Sequence, residues 1–122
     1  MEVFLDTSAL SEPDLDLVTE ELEKDPELKF FVSAITHFEI LWGYSISDKK
    51  PTSYKNFLRT AGVRVESILQ SDAETSAEWK PSEKDIRDSL IAASVKRRGA
   101  SIWTRDDDFL NFLPEDRVKI IA

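Results

Sequence analysis

Apolar residues fall along this chain in short bursts, separated by longer stretches where they recur every three or four positions. Glu2 to Leu5 is one such burst, closed by Asp6 and too brief for a helix, so it predicts a buried strand. Leu28 to Val32 repeats the pattern and predicts a second. Between them, Leu15, Val18 and Leu22 sit at helical spacing among acids, an amphipathic helix from Pro13 to Asp25 that stops near Pro26. After the second strand, Thr36 stands three residues before Glu39, the spacing of a capping box, and opens a helix through Ile40, Leu41 and Trp42 toward Gly43 and Tyr44. The polar stretch Ser45 to Thr52, with Lys49-Lys50-Pro51, reads as a loop. Tyr54, Phe57 and Leu58 predict a further helix ended by Gly62, and Val63 to Ile68 a third strand.

Two helices, Ser71 to Trp79 and Ser82 to Arg98, part at Pro81, and the second ends at Gly99 behind the basic run Lys96-Arg97-Arg98. Ser71 with Glu74 and Ser82 with Asp85 repeat the capping-box spacing. Ala100 to Thr104 is the fourth strand, Asp107 to Phe112 a short helix, and Val118 to Ile121 the fifth strand. Strands alternating with helices predict a parallel sheet covered on both faces, a three-layer α/β arrangement. At 122 residues the chain is expected to form one domain, 1–122, around one core, and no repeat, low-complexity segment or linker interrupts it.

Composition narrows the chemistry. There is no cysteine and a single histidine, His37, which excludes thiolate nucleophiles, disulfides, cysteine-bound zinc and multi-histidine metal sites. No apolar stretch approaches the ~20 residues needed to cross a bilayer. The acid at position 2 and the short first run do not fit a signal peptide, so a cytoplasmic chain is expected. With 16 basic and 24 acidic residues the net charge is -8, which argues against passive coating of nucleic acid. A phosphate substrate would need local help.

The carboxylates supply the candidate chemistry. In open parallel sheets, ligands bind beyond the carboxyl ends of the strands, where the strand order reverses. Asp6 lies at such an end, as does Asp106 after strand four; Glu39 lies in the first turn of the helix after strand two and Asp88 early on the helix leading to strand four. All four can reach one edge. Bare, they would repel one another, so a cation must hold them together, and neutralising Asp6 or Asp106 is expected to leave a metal-free fold no less stable. Oxygen donors select hard ions such as Mg²⁺ or Mn²⁺, and two of these about 4 Å apart would form the clamp used in phosphodiester hydrolysis. Local explanations stand beside this one: capping for Glu39 and Asp85, and helix-dipole charge for Asp106-Asp107-Asp108, which accounts better for one acid than for three. The roles of Asp85 and Asp107 stay open. Asp88 is harder to explain locally, because Ile91, Ala92 and Val95 mark a buried face beside it. His37 is expected in a surface or capping role, and Trp42, Trp79 and Trp103 in the core.

Three blocks of this sequence together resemble the PIN domain, the fold of VapC-type toxins and related ribonucleases. They are Val3 to Leu10, a strand ending in Asp-Thr; Ser33 to Gly43, similar to "s.it..El..G"; and Asp88 to Phe109, similar to "D.lIAa.a...g..l.TrD.dF". The resemblance implies an α/β/α fold with a five-stranded parallel sheet in the order 3-2-1-4-5. It implies Asp6, Glu39, Asp88 and Asp106 as metal-binding acids, Thr104 as the family's hydroxyl position and Asp108 as an auxiliary acid. It further implies a Mg²⁺- or Mn²⁺-dependent endoribonuclease, a homodimer and, in the toxin branch, a small antitoxin protein. Arg105, Lys49 and Lys50 are the candidates for RNA-backbone contacts, with Lys96-Arg97-Arg98 behind them as a helix-end charge complement first. Ser45 to Thr52 follows no family pattern. Two other readings compete: the same scaffold as a non-toxic RNA-processing or binding module, and a phospho-receiver signalling domain. The latter lacks an acceptor acid after Val63 to Ile68, and the one lysine near its end, Lys119, falls inside strand five.

Overall fold

The computed structural model describes residues 1–121, and of 12–14 the backbone alone. Five strands, β1 (Glu2–Leu5), β2 (Lys29–Ser33), β3 (Arg64–Glu66), β4 (Ser101–Thr104) and β5 (Val118–Ile120), pair in parallel in the order β3-β2-β1-β4-β5, as the resemblance implied. The connections carry α1 (Glu12–Lys24), α2 (Ala34–Ile46), α3 (Thr52–Thr60), α4 (Gln70–Glu78) and α5 (Ile86–Arg98), with 3₁₀ turns at Thr7–Ala9, Glu83–Asp85, Asp107–Asn111 and Glu115–Arg117.

Alternation along the strands builds the three layers. Phe4, Phe31 and Ile102 turn to one face and pack with Ile91 and Val95 of α5 and with Phe109. Val3, Leu5, Phe30, Val32 and Trp103 turn to the other and pack with Val18 of α1 and Phe57 of α3. Burial on both faces explains why the central strands read as unbroken apolar runs. β3 is an edge strand with exposed residues, so the central acceptor strand that a phospho-receiver requires is not in its place. No helix among the described residues is long and apolar enough to cross a membrane.

Several local expectations are corrected. Ser33, not Thr36, caps α2: its Oγ accepts the Ile35 N–H at 3.2 Å, and β2 passes into the helix without a loop. Thr36 is instead fully buried one turn on, and its Oγ1 is the one buried side-chain polar atom without a hydrogen-bond partner among the described residues. Glu39 therefore lies beyond the first turn and caps nothing. α2 runs on through Ser45 to Ile46, so only the later part of the expected loop is irregular. At α4, Asp72 rather than Glu74 reaches back, accepting the Leu69 N–H at 2.9 Å. The expected helix from Ser82 is split into a 3₁₀ turn and α5, and α5 ends as expected at Gly99, in the left-handed region at φ 64 where a side chain would be strained. Trp103 is buried, but Trp42 stands exposed on α2.

The basic run at the end of α5 is committed to the fold. Arg97 forms a fork on buried Asp72 at 2.9 and 3.2 Å, and Arg98 bonds Glu2 twice at 2.9 Å and Glu66 at 2.7 Å while lying over the Phe31 ring. Lys96 lies over the Trp79 ring. The run stands in the last turn of α5, as the helix-end explanation has it, but Arg97 and Arg98 are held there by acids of α4, β1 and β3.

Candidate functional site

The strand order reverses between β1 and β4, whose register pairs Leu5 with Trp103. The next residues on each strand, Asp6 and Thr104, consequently sit side by side at the carboxyl edge, with the Asp6 N–H bonded to Trp103 O at 3.1 Å. Asp6 is buried. Its Oδ2 accepts from the Thr104 hydroxyl at 3.0 Å and from Ser8 Oγ at 3.3 Å, so both hydroxyls orient the carboxylate. Thr104 Oγ1 also accepts the Asp106 N–H at 2.9 Å, tying the turn after β4 to the end of β1. Ser8 accepts the Arg105 N–H at 2.8 Å, and the Arg105 guanidinium bonds the Ser8 carbonyl.

Three acids from three elements converge here. Asp6 comes from the end of β1, Glu39 from the second turn of α2 and Asp88 from the first turn of α5. At their centre is a residue absent from the sequence-derived set, Arg87. Its Nε and NH2 form a fork on Glu39 at 2.7 and 2.6 Å, NH2 also reaches Asp6 Oδ1 at 3.0 Å and Thr7 Oγ1 at 3.1 Å, and NH1 bonds Asp88 Oδ1. The Thr7 hydroxyl in turn donates to Glu39 at 3.0 Å. Burial works against the charge on Arg87, but Glu39 and Asp6 outweigh it and raise its pKa still further. Arg87 thus supplies, from within the chain, a positive charge for three of the four acids expected to converge.

Asp106 lies to one side. Its Oδ1 caps the following 3₁₀ turn by accepting the Asp108 N–H at 2.9 Å, so the capping explanation and the clustering hold together. Burial raises the Asp88 carboxyl, and the Asp106 and Asp6 charges add to that while Arg87 opposes it. The Asp106 charge is also the main cause that raises half-buried Asp108. Asp85, Asp88 and Asp108 can bring carboxylate oxygens within 4.8 Å of one another, as can Asp106, Asp107 and Asp108. Asp85 also accepts a bond from Ser82 Oγ at 2.9 Å, so the two residues meet side chain to side chain and do not form the capping box that their spacing predicted. Asp88 thus belongs to two groups, one around Arg87 and one facing the Asp106 turn. The donors in both groups are carboxylate oxygens, the ligand type that hard divalent cations take.

A groove of about 480 Å³ opens beside Thr7 and Ser8, with Ile40, Tyr44 and Lys49 in its walls. Lys49 and Lys50 are exposed. His37 is not at the acids: its Nδ1 pairs with Tyr54 Oη at 2.7 Å, where burial lowers the imidazole and pushes the phenol up to about 12. Of the sequence-derived residues, then, Asp6, Glu39, Asp88 and Thr104 come together directly, with Asp106 and Asp108 alongside. Sequence reasoning missed Arg87, Thr7 and Ser8. Thr7 and Ser8 could have been read from their place directly after the strand-end acid, whereas Arg87 looks like an ordinary helix surface residue.

No curated protein matches the chain. Among solved structures, VapBC-1 from nontypeable Haemophilus influenzae aligns over 98% of this chain and 98% of its own, at 18% identity and a TM-score of 0.73. A toxin-antitoxin complex from Klebsiella pneumoniae aligns over 95% and 94%, at 21% identity and 0.65. Mycobacterium tuberculosis VapC20, described as a Sarcin-Ricin loop cleaving toxin, aligns over 88% and 92%, at 17% identity and 0.56. At such identities the likeness is one of fold. The family model described as PIN domain matches residues 3–112, nearly the whole chain and every acid of the cluster. By that match and by its sheet order, the chain belongs to the PIN domain family.

Proposed function

We propose that the chain is a Mg²⁺- or Mn²⁺-dependent endoribonuclease that hydrolyses RNA phosphodiester bonds, acting in the cytoplasm as the toxin of a VapBC-type pair. The observation that carries this reading is the convergence of Asp6, Glu39 and Asp88 on one cationic group at the reversal point of the sheet, with Asp106 beside them. These four acids would hold the metal. When bound, a divalent ion supplies a water acidified toward hydroxide and a Lewis-acid contact for the phosphate. Thr104 and Ser8 keep the Asp6 carboxylate aimed into the site, and Asp106 fixes the turn that carries Asp108. The groove lined by Tyr44 and Lys49 leads away from Thr7 and suits a single-stranded nucleotide, its phosphate toward the lysine. Arg105, bonded to the Ser8 carbonyl, and exposed Lys50, next to Lys49, are proposed as further backbone contacts.

The chain is proposed as one domain over 1–122, paired as a homodimer and neutralised by an antitoxin protein. Phe38, Trp42 and Ile46 form an exposed apolar row at four-residue spacing along α2, which supports a protein partner on that face. The Klebsiella complex supports an antitoxin as such a partner.

Incubating the protein with a mixed RNA pool and mapping the ends tests the chemistry: cleavage with Mg²⁺ or Mn²⁺ that stops in EDTA is expected. Intact RNA under all metal conditions would overturn the reading. Glu39→Gln should raise the Mn²⁺ concentration needed for half-maximal cleavage, because the amide keeps the side chain's size and loses its ligand charge. Full cleavage at limiting Mn²⁺ would remove Glu39 from the ligand set. RNA binding, read by anisotropy on an uncleavable strand, should need divalent metal and fall only gently with salt, since each phosphate contact adds about 0.7 to the log-log slope. Tight binding in EDTA would contradict this account.

A further inference from the structure

Every carboxylate that converges beside Asp6 already holds a bond to the same side chain, and that side chain belongs to the chain itself. Arg87 takes both oxygens of Glu39, one of Asp6 and one of Asp88, using Nε, NH1 and NH2 together. A divalent ion in this cluster would need oxygens from the same three residues at the short distances hard cations demand. A guanidinium cannot remain at the centre while such an ion enters, because the two positive groups would share one set of ligands and repel each other. We propose that Arg87 and the metal ion compete for Asp6, Glu39 and Asp88, so that Arg87 keeps the ligands positioned without metal and sets the concentration at which metal replaces it. The proposal rests on the metal-dependent reading above and adds to it a residue that belongs to no ligand set.

The surroundings fit an exchangeable occupant. Arg87 lies in the first turn of α5, next to Asp88, and its side chain keeps 31% of its surface exposed, so the guanidinium can turn out to solvent without unpacking the helix. The acids on the other side of Asp88 are arranged differently: the hydrogen bonds of Arg87 reach neither Asp106 nor Asp108. The competition is therefore confined to the Asp6–Glu39 side. A site whose competent form is only fractionally populated binds with an affinity reduced by that fraction, and removing the competitor restores it. Arg87 also explains how three acids can approach so closely in the metal-free chain. Its loss should consequently move two quantities in opposite directions, weakening the metal-free fold and strengthening metal binding, a combination that a simple packing role would not produce.

Titration calorimetry with Mn²⁺ on the parent, Arg87→Gln and Arg87→Lys, together with thermal melts in EDTA, tests this. Arg87→Gln is expected to bind Mn²⁺ about tenfold tighter or more and to melt lower in EDTA, with Arg87→Lys between it and the parent. Equal or weaker Mn²⁺ binding by folded Arg87→Gln would overturn the competition while leaving the metal-dependent reading standing. Failure of both parent and variant to bind Mn²⁺ would overturn both. Should Arg87→Gln not fold, the parent answers by NMR: the Arg87 Nε–H should exchange slowly in EDTA and lose that protection in saturating Mg²⁺. Protection that persists at saturation would overturn the proposal.

Discussion

Asp6→Asn is expected to lower RNA cleavage by at least ~100-fold at saturating metal, because it removes a charged donor from the centre of the proposed ligand set. The fold should survive. The amide can still accept from Arg87 at Oδ1, and its NH₂ can donate to the Thr104 and Ser8 hydroxyls, which in the parent donate to Oδ2. Simple like-charge repulsion predicts a metal-free gain in stability, but Arg87 changes the sign at this position. Asp6 gives up a charge-assisted bond to Arg87, so the variant should melt slightly lower in EDTA, by about 1–2 kcal/mol. Asp106→Asn is the contrasting case. Its carboxylate is not bonded to Arg87 and its charge raises the carboxyls of Asp88 and Asp108, so neutralising it should leave the metal-free fold no less stable. Cleavage by mapped RNA and melts in chelator read both effects. Strong destabilisation by both variants would make these acids structural, and undiminished cleavage by Asp6→Asn would remove Asp6 from the chemistry.

The largest effect on stability should come from a residue away from the acids, Asp72. Its carboxylate is buried and accepts from Arg97, from Ser94 Oγ at 3.0 Å and from the Leu69 N–H, joining α4 to α5. Asp72→Ala leaves the hydroxyl and the amide without their acceptor, while Arg97 retains part of its exposure and a neighbour in Glu66 at 3.8 Å. A loss of about 2–3 kcal/mol is expected, toward the lower end for a broken buried pair, with Tm falling by roughly 10 °C or more. Burial alone would raise this carboxyl; its hydrogen bonds, chiefly from Arg97, hold it below the ordinary aspartate value. Because the folded-state pKa is depressed, the contribution is present above the unfolded value of about 3.9 and is lost as pH falls through the folded one. The parent should therefore show an acid limb in its stability–pH curve that Asp72→Ala lacks, read by denaturant melts from pH 7 down to about pH 3. Superimposable curves would show that Asp72 does not carry this linkage.

The strands and their order of appearance were legible because each central strand is buried on both faces, leaving an apolar burst that nothing else in so short a span explains. Helix starts were harder to read. Thr36 and Ser33 are both hydroxyl residues ahead of an apolar stretch, and either could cap a helix; which one does depends on where β2 releases the chain. Trp42 reads as core in any composition argument, yet it stands more than half exposed on α2.

Asp6, Glu39, Asp88 and Asp106 could be found in the sequence because a strand's end or the opening of a helix places them near the sheet edge whatever the packing, and the motif resemblance added Thr104 and Asp108. Local pattern thus determined which side chains could arrive at the edge. It could not determine what they would meet. Arg87 sits beside Asp88 on a helix with ordinary surface character, and its partners Glu39 and Asp6 are 48 and 81 residues away. No spacing rule links positions that far apart. Only the docking of α5 against the ends of β1 and α2 brings their charges within hydrogen-bond reach, and there electrostatics over a few ångströms, rather than periodicity along the chain, selects the partner.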